Sequence, residues 1–322
     1  MRVLLAGGSG AVGRRLVPQL VAANHRVTAT TRSEAKLDEL RELGAEPVVM
    51  DGLDAASVAN AVEHARPEAI IHQMSALAGK QDLKHFDRWF AVTNELRTEG
   101  TKHLLAAAQA TGARRFLVQS YTGWPNSREG GPVKREEDPL DPEPAREQRE
   151  SLAAIRFLER TVLDAPVEGV VLRYGALYGP GASEGFVDEL RKRRVPVVGD
   201  GAGVWSWLHV DDAASATVAA LERAPKGVYN VVDDEPAEVA DCLPYLAEAV
   251  GAKPPLHVPA WLGRLLAGEV VVRMMTQARG SSNAKARRVL DWEPSWSTWR
   301  DGFRRGLAET LPATGGESRS AA

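Results

Sequence analysis

Residues 3–16 read Val-Leu-Leu-Ala-Gly-Gly-Ser-Gly-Ala-Val-Gly-Arg-Arg-Leu, and this stretch decides the fold. Val3 to Ala6 make a short buried strand, glycines follow at Gly7, Gly10 and Gly13, and a helical run begins at Ala11. The three glycines have separate roles, in that one closes a tight turn, one lets backbone approach a pyrophosphate, and one lets the helix pack close against the strand. The start of the helix then offers unpaired N–H groups and the positive end of its dipole to phosphate. A glycine-rich turn by itself needs no ligand. Wedged between a first strand and a first helix, it reads as a dinucleotide-phosphate site contacted by Gly7, Ser9, Gly10, Ala11, Val12 and Gly13.

Working outward, short β-branched runs recur at Val3 to Ala6, Arg26 to Thr31, Pro47 to Met50, Ala69 to His72, Phe116 to Ser120 and Val170 to Arg173. Helical patterns fill the gaps: Ala11 to Ala23, Glu34 to Leu43, Ala55 to His64, and a long helix ending near Ala110, with Gly44 and Gly112 placed as helix caps. Strand alternating with helix predicts an α/β fold: a Rossmann-type, doubly wound parallel sheet covered on both faces. After Pro180 the rhythm shortens, which predicts a smaller mixed C-terminal lobe. The expected division is a dinucleotide-binding domain over 1–180, a substrate-binding lobe over 181–310 interleaved with it, and a disordered tail over 311–322. The segment from Pro125 to Glu150, rich in proline, glycine and charge, is expected as an exposed loop over the strand ends.

The net charge of -3 over 322 residues supplies no positive field for nucleic acid or an anionic membrane, so neither is an expected partner. A single cysteine, Cys242, excludes an intrachain disulfide and suits the cytoplasm. Seven scattered histidines without ligand spacing argue against a metal. Gly181-Ala182-Ser183-Glu184-Gly185 has hydrolase-elbow spacing but follows no buried strand.

The end of the second strand bears on the cofactor. A site for NAD places a carboxylate there to bind the ribose 2′-hydroxyl. Here the sequence is Ala29-Thr30-Thr31-Arg32-Ser33, and Arg32 suits a 2′-phosphate. NADP is the expected cofactor, with NAD as the alternative.

These residues, taken with others in order, resemble the extended short-chain dehydrogenase/reductase superfamily, whose members include NAD(P)-dependent epimerases, dehydratases and reductases. The similarity runs from residue 1 to about 305. It rests on Gly7-x-x-Gly10-x-x-Gly13, Asp51, His72-Gln73-Met74-Ser75, Glu99-Gly100-Thr101, Leu172-Arg173-Tyr174, Tyr178-Gly179-Pro180, Trp207 to Asp212, Tyr229-Asn230-Val231 and Trp292-Glu293-Pro294. The resemblance implies that Asp51 contacts adenine and that Gly52, Gln73, Met74, Ser75, Gln119 and Tyr174 also line the cofactor.

The chain departs from the family's pattern at the chemistry. Most members carry Tyr-x-x-x-Lys, with the lysine lowering the tyrosine pKa for proton transfer. Aligned here, Glu147 takes the tyrosine slot and Ser151 the lysine slot, and a shift of one residue gives Arg146 and Glu150. The helix asparagine is displaced as well: its slot holds Arg97, with Asn94 one turn earlier. After the fifth strand, Ser120-Tyr121 stands where the family has hydroxyl residues, which makes Tyr121 and Ser120 the catalytic candidates. Tyr121 reads equally as a proton donor or as an aromatic wall, and Trp124, Trp205 and Trp207 as pocket walls or as filling between lobes. The expected activity is oxidation or reduction of a carbonyl or alcohol on a small molecule. A nucleotide-sugar epimerase or dehydratase is the alternative, as is a regulatory protein that binds NADP without turnover. A homodimer is the assembly allowed for.

Overall fold

The computed structural model describes residues 1–77 and 82–307. Its centre is a seven-stranded sheet, every strand parallel to its neighbours. In chain order the strands are β1 (Arg2–Ala6), β2 (Arg26–Thr31), β3 (Glu46–Val49), β4 (Ala69–His72), β5 (Arg115–Tyr121), β6 (Glu168–Tyr174) and β7 (Gly227–Val231). They lie side by side as β7-β6-β5-β4-β1-β2-β3. The winding direction reverses between β1 and β4, so a crevice opens above the carboxyl ends of these two strands.

Apart from the partly exposed edge strand β3, both faces of the sheet are covered, as the unbroken apolar runs require. Successive side chains point to opposite faces. Leu5 therefore packs with Leu16 and Leu20 of helix α1 (Ala11–Ala22), while Leu4 packs on the other face with Val58 of α2 (Ala55–Ala65). Phe86–Glu95 forms α3, Thr101–Thr111 forms α4, Arg149–Asp164 forms α5 and Val210–Arg223 forms α6. Leu104 of α4 and Leu158 of α5 share the core of Leu4, whereas Ala213 of α6 lies with Leu5. A separate core, with Val187, Leu190, Trp207, Leu243, Leu246 and Trp299, sits over the strand ends. Strand β7 and helix α6, both late in the chain, return to the main sheet. No helix among the described residues is long and apolar enough to cross a membrane. The expected tail over 311–322 lies outside the described residues.

Gly44 and Gly112 adopt φ of +97° and +76°, the left-handed conformation that a helix-ending glycine supplies. Three details differ from the sequence reading. The helix expected from Glu34 to Leu43 opens as a 3-10 turn, Glu34–Lys36, before Leu37–Glu42 becomes α-helical. The long helix is interrupted between α3 and α4 by a π-type turn, Leu96–Gly100, in which the Leu96 carbonyl accepts from Thr101 N–H, five residues on. The segment from Pro125 to Glu150 is pinned rather than free over the surface. Asn126 donates to the carbonyl of Arg279 at 3.0 Å, Arg128 pairs with Asp141 at 3.0 Å, and Val133–Lys134 bridges to Gly280–Ser281. Much of the segment is exposed as expected, but Asn126, Ser127, Lys134 and Asp141 are buried and hydrogen-bonded, which composition alone does not reveal.

Candidate active site

One continuous cavity of about 640 Å³ occupies the crevice, its walls running from the glycine turn to Trp205, Trp207 and Phe303. At the outer end, Gly7 has φ of +94°, and a Cβ there would lie 2.9 Å from the backbone of Gln73. A Cβ on Gly13 would lie 2.4 Å from the Gly7 carbonyl oxygen, so α1 reaches the turn only because that atom is missing. Gly10 differs: its nearest neighbour would be 3.4 Å away, and it faces the cavity. The first turn of α1 has no acidic residue and no side-chain cap. Open N–H groups beside a glycine with room above it fit a pyrophosphate.

The end of β2 continues this wall. The Ser9 hydroxyl donates to Thr31 Oγ1 at 3.0 Å, and the Ser33 N–H donates to the same oxygen at 3.2 Å. Arg32, Ser33, Lys36 and Arg14 line the cavity here. Arg14 is paired with Glu39 at 3.2 Å, while Arg32 and Lys36 make no ion pair among the described residues. Sequence reasoning found Arg32 and missed the other two cations. Their signal was position: Lys36 lies one turn beyond Arg32, and Arg14 directly follows the last glycine.

Gly7, Ser9, Gly10, Ala11, Arg32, Gly52, Gln73, Met74, Ser75, Gln119 and Tyr121 all stand on the wall, as do Trp124, Trp205 and Trp207. The remaining candidates do not. The Asp51 carboxylate turns back to accept the Leu53 N–H at 3.0 Å, leaving its neighbours Met50 and Gly52 on the wall. Val12 packs into the core and Gly13 lies beneath the turn, so they offer backbone only. Tyr174 is fully buried; its hydroxyl accepts from Gln73 Nε2 at 2.8 Å and meets Thr217, which places it behind the wall. Ser120 points away from Tyr121, as neighbours on a strand must. Its hydroxyl donates to Glu159 Oε1 at 2.7 Å, and Glu159 is held bidentately by Arg173 at 2.8 and 2.7 Å. Ser120 therefore belongs to a buried structural network and not to the cavity.

His72 ties the two sides of the site together. Its Nδ1 accepts the Met74 N–H at 3.2 Å, so the proton sits on Nε2 and is donated to the Leu96 carbonyl at 3.1 Å. Burial, with some contribution from Arg97, holds its pKa down to about 4, below its ordinary 6.5. As pH falls through 6.5 the unfolded chain takes up a proton that the folded chain refuses. The stability contributed by neutral His72 is therefore complete above that pH and is lost toward pH 4. Urea unfolding at pH 7 and pH 5 is expected to differ by about 2 kcal/mol more in the parent than in His72→Gln. Equal differences in the two proteins would show that His72 does not carry the acid sensitivity.

The inner end of the cavity is aromatic. Phe86 stacks on Phe90 with ring centroids 4.4 Å apart, and Trp124 meets Phe86 edge-on at 5.1 Å. Tyr121 lies beside Trp124, its hydroxyl pushed up to about 12 by burial while the Arg97 guanidinium pulls the other way. Arg97, from the π-type turn, also lines this end. Burial lowers its pKa to about 10, so it stays cationic. Its Nη1 donates to Asn94 Oδ1 at 3.3 Å, Asn94 Nδ2 donates to Ser151 Oγ at 3.0 Å, and the Ser151 hydroxyl donates to Asp87 at 2.6 Å. Ser151, one of the two residues that the sequence alignment sets against the lysine slot, is thus one link in a chain ending at Arg97. Glu147 is not on the wall, and among the described residues the only lysine lining the cavity is Lys36, at the outer end.

Comparison with known proteins agrees with this geometry. Residues 3–232 match the family model described as the NAD dependent epimerase/dehydratase family. A 3-diazoavenalumate denitrifying reductase from a Streptomyces species is 42% identical over 312 residues, covering 95% of this chain and 100% of the relative. A 2-alkyl-3-oxoalkanoate reductase from Stenotrophomonas maltophilia is 28% identical over 268 residues, covering 78% and 76%. The fold is that of UDP-glucose 4-epimerase from Thermotoga maritima, with TM-score 0.75, 20% identity and coverage of 95% and 97%. A human epimerase family protein solved with NADPH superposes with TM-score 0.71 at 21% identity, covering 97% and 100%. The chain belongs to the NAD-dependent epimerase/dehydratase family of the extended short-chain dehydrogenases/reductases, enzymes built around a nicotinamide dinucleotide.

Proposed function

We propose that this protein is an NADPH-dependent reductase acting on a small aromatic acceptor that carries its own leaving group, of the diazo kind. One observation carries the reading. The cavity joins a basic outer end to an aromatic inner end where Arg97 and Tyr121 stand without a lysine among the described residues. The relative named for 3-diazoavenalumate supports the choice of acceptor.

Reduced nicotinamide, when bound, supplies hydride. An arene diazonium that received it would gain the new C–H bond and lose the C–N bond, whose electron pair would leave with N2, and no proton would enter. Such an acceptor needs no Tyr-x-x-x-Lys pair. The residues of the chain have other work. The turn from Gly7 to Gly13 would hold the pyrophosphate, and Arg32 with Lys36 would meet the 2′-phosphate. Phe86, Phe90 and Trp124 exclude the water that would otherwise capture a diazonium. Tyr121, protonated throughout the neutral range, donates a hydrogen bond. On a ketone the same hydroxyl would have to give up its proton, as the oxoalkanoate reductase relative suggests for a second class of acceptor.

The test is oxidation of NADPH and NADH with 4-diazobenzoate, reading nicotinamide absorbance, N2 and benzoate together. NADPH is expected to be consumed in step with both products. Tyr121→Phe keeps most of that rate yet loses roughly 100-fold or more on any ketone that the parent reduces. The double variant Arg32→Ala/Lys36→Ala weakens NADPH by about 10- to 100-fold and leaves NADH nearly unchanged. No enzyme-dependent N2 would sink the diazo reading, and equal losses for both cofactors would sink the preference for NADP.

A further inference from the structure

Arg97 is more than nine-tenths buried, lines the cavity, and has no carboxylate within 4.0 Å among the described residues. The acidic group that acts on it, Glu159, already has its oxygens engaged by Arg173 and Ser120. A guanidinium taken out of water without a counter-ion is costly, and proteins keep one where a ligand completes it. Its surroundings say what kind of ligand. The guanidinium carbon lies 5.4 Å from the centroid of the Phe90 ring, and that ring stacks on Phe86. Asn94 takes one N–H, and the chain through Ser151 to Asp87 fixes the asparagine with its oxygen toward Arg97. The rest of the planar fork is left for whatever occupies the aromatic end.

We infer that Arg97 is the anchor for a negatively charged oxygen on a planar aromatic substrate, a carboxylate or a phenolate. This takes from the proposed function only that the inner end of the cavity is the substrate's place. The flat walls select an aromatic ring by stacking, and the guanidinium selects its charge by charge-assisted hydrogen bonds. A neutral ring of the same shape fits between the walls but leaves Arg97 unpaired. Selectivity should therefore appear as a difference between anion and neutral isostere, and it should reside at this one residue.

Binding is read without turnover, by quenching of tryptophan fluorescence in the protein loaded with NADP. Cinnamate is compared with cinnamyl alcohol, and 4-nitrophenolate with 4-nitroanisole. In the parent at least one anion binds about 10- to 100-fold tighter than its neutral partner, and the pair that shows it tells carboxylate from phenolate. Arg97→Met erases the preference, and Arg97→Lys restores part of it. NADP affinity and near-ultraviolet circular dichroism report whether each variant is folded. If Arg97→Met fails that check, Arg97→Gln, which keeps an amide donor, replaces it. Anions and neutral rings binding alike in the parent, or a folded Arg97 variant retaining the parent's preference, would overturn the inference. An anion preference that depends on Arg97, found without any diazo turnover, would fault the reading of the reaction and leave that of Arg97 standing.

Discussion

Gly13→Ala is expected to weaken NADPH binding by more than about 100-fold and to destabilise the fold by roughly 1–3 kcal/mol. The cause is backbone meeting backbone. The added carbon would lie 2.4 Å from the Gly7 carbonyl oxygen and 2.5 Å from that of Gly8, and neither can rotate aside as a side chain would. The start of α1 must lift from the turn, taking its N–H groups away from where a pyrophosphate would accept them. Gly10→Ala separates the two effects, since its nearest protein neighbour would be 3.4 Å away and the new methyl enters the cavity. It is expected to weaken the cofactor while leaving the urea midpoint near that of the parent. Titration of NADPH beside urea unfolding decides the matter. Equal behaviour of the two variants would mean that the glycines do not divide their roles in this way.

Replacing Glu159 with leucine is expected to cost about 3–5 kcal/mol. Glu159 and Arg173 are each 8% exposed at the side chain, and their contact is bidentate. Removing the carboxylate strands the guanidinium between β6 and α5 and leaves the Ser120 hydroxyl without its acceptor. The double variant Glu159→Leu/Arg173→Met removes the guanidinium stranded by the single change and is expected to recover part of the loss, less the attraction that Glu159 also exerts on Arg97. Urea unfolding of the parent, single and double variants measures both. A single variant that loses less than about 1 kcal/mol would show that water reaches the pair.

The sheet was legible because its cause is local. Apolar runs at Val3 to Ala6 and Ala69 to His72 report burial on both faces without knowledge of their neighbours. The glycine turn was legible for the same reason, since a conformation with positive φ restricts the residue type. What stayed hidden depends on juxtaposition. Ser120 and Tyr121 are adjacent in sequence, and only the facing of β5 sends one to Glu159 and the other to the cavity. Asp51 satisfies its own turn, a choice decided by Leu53 N–H two residues away. Arg97 was noticed as an intruder in an asparagine slot, but its importance comes from Phe90 and Asn94 of α3, the latter held by Ser151 of α5, meeting it at the wide turn.

That wide turn, Leu96–Gly100, has a consequence for how the pocket changes. It holds one residue more than a regular turn, so helix α3 is phased by an insertion. Deleting a single position there would restore α-helical spacing and rotate what precedes it by about 100° about the axis relative to α4, swinging Phe86 and Phe90 off the cavity together. Substitutions along α3 alter the wall one ring at a time. A change of length in this turn re-aims the whole wall at once, so the range of molecules admitted depends on a count of residues as well as on their kinds.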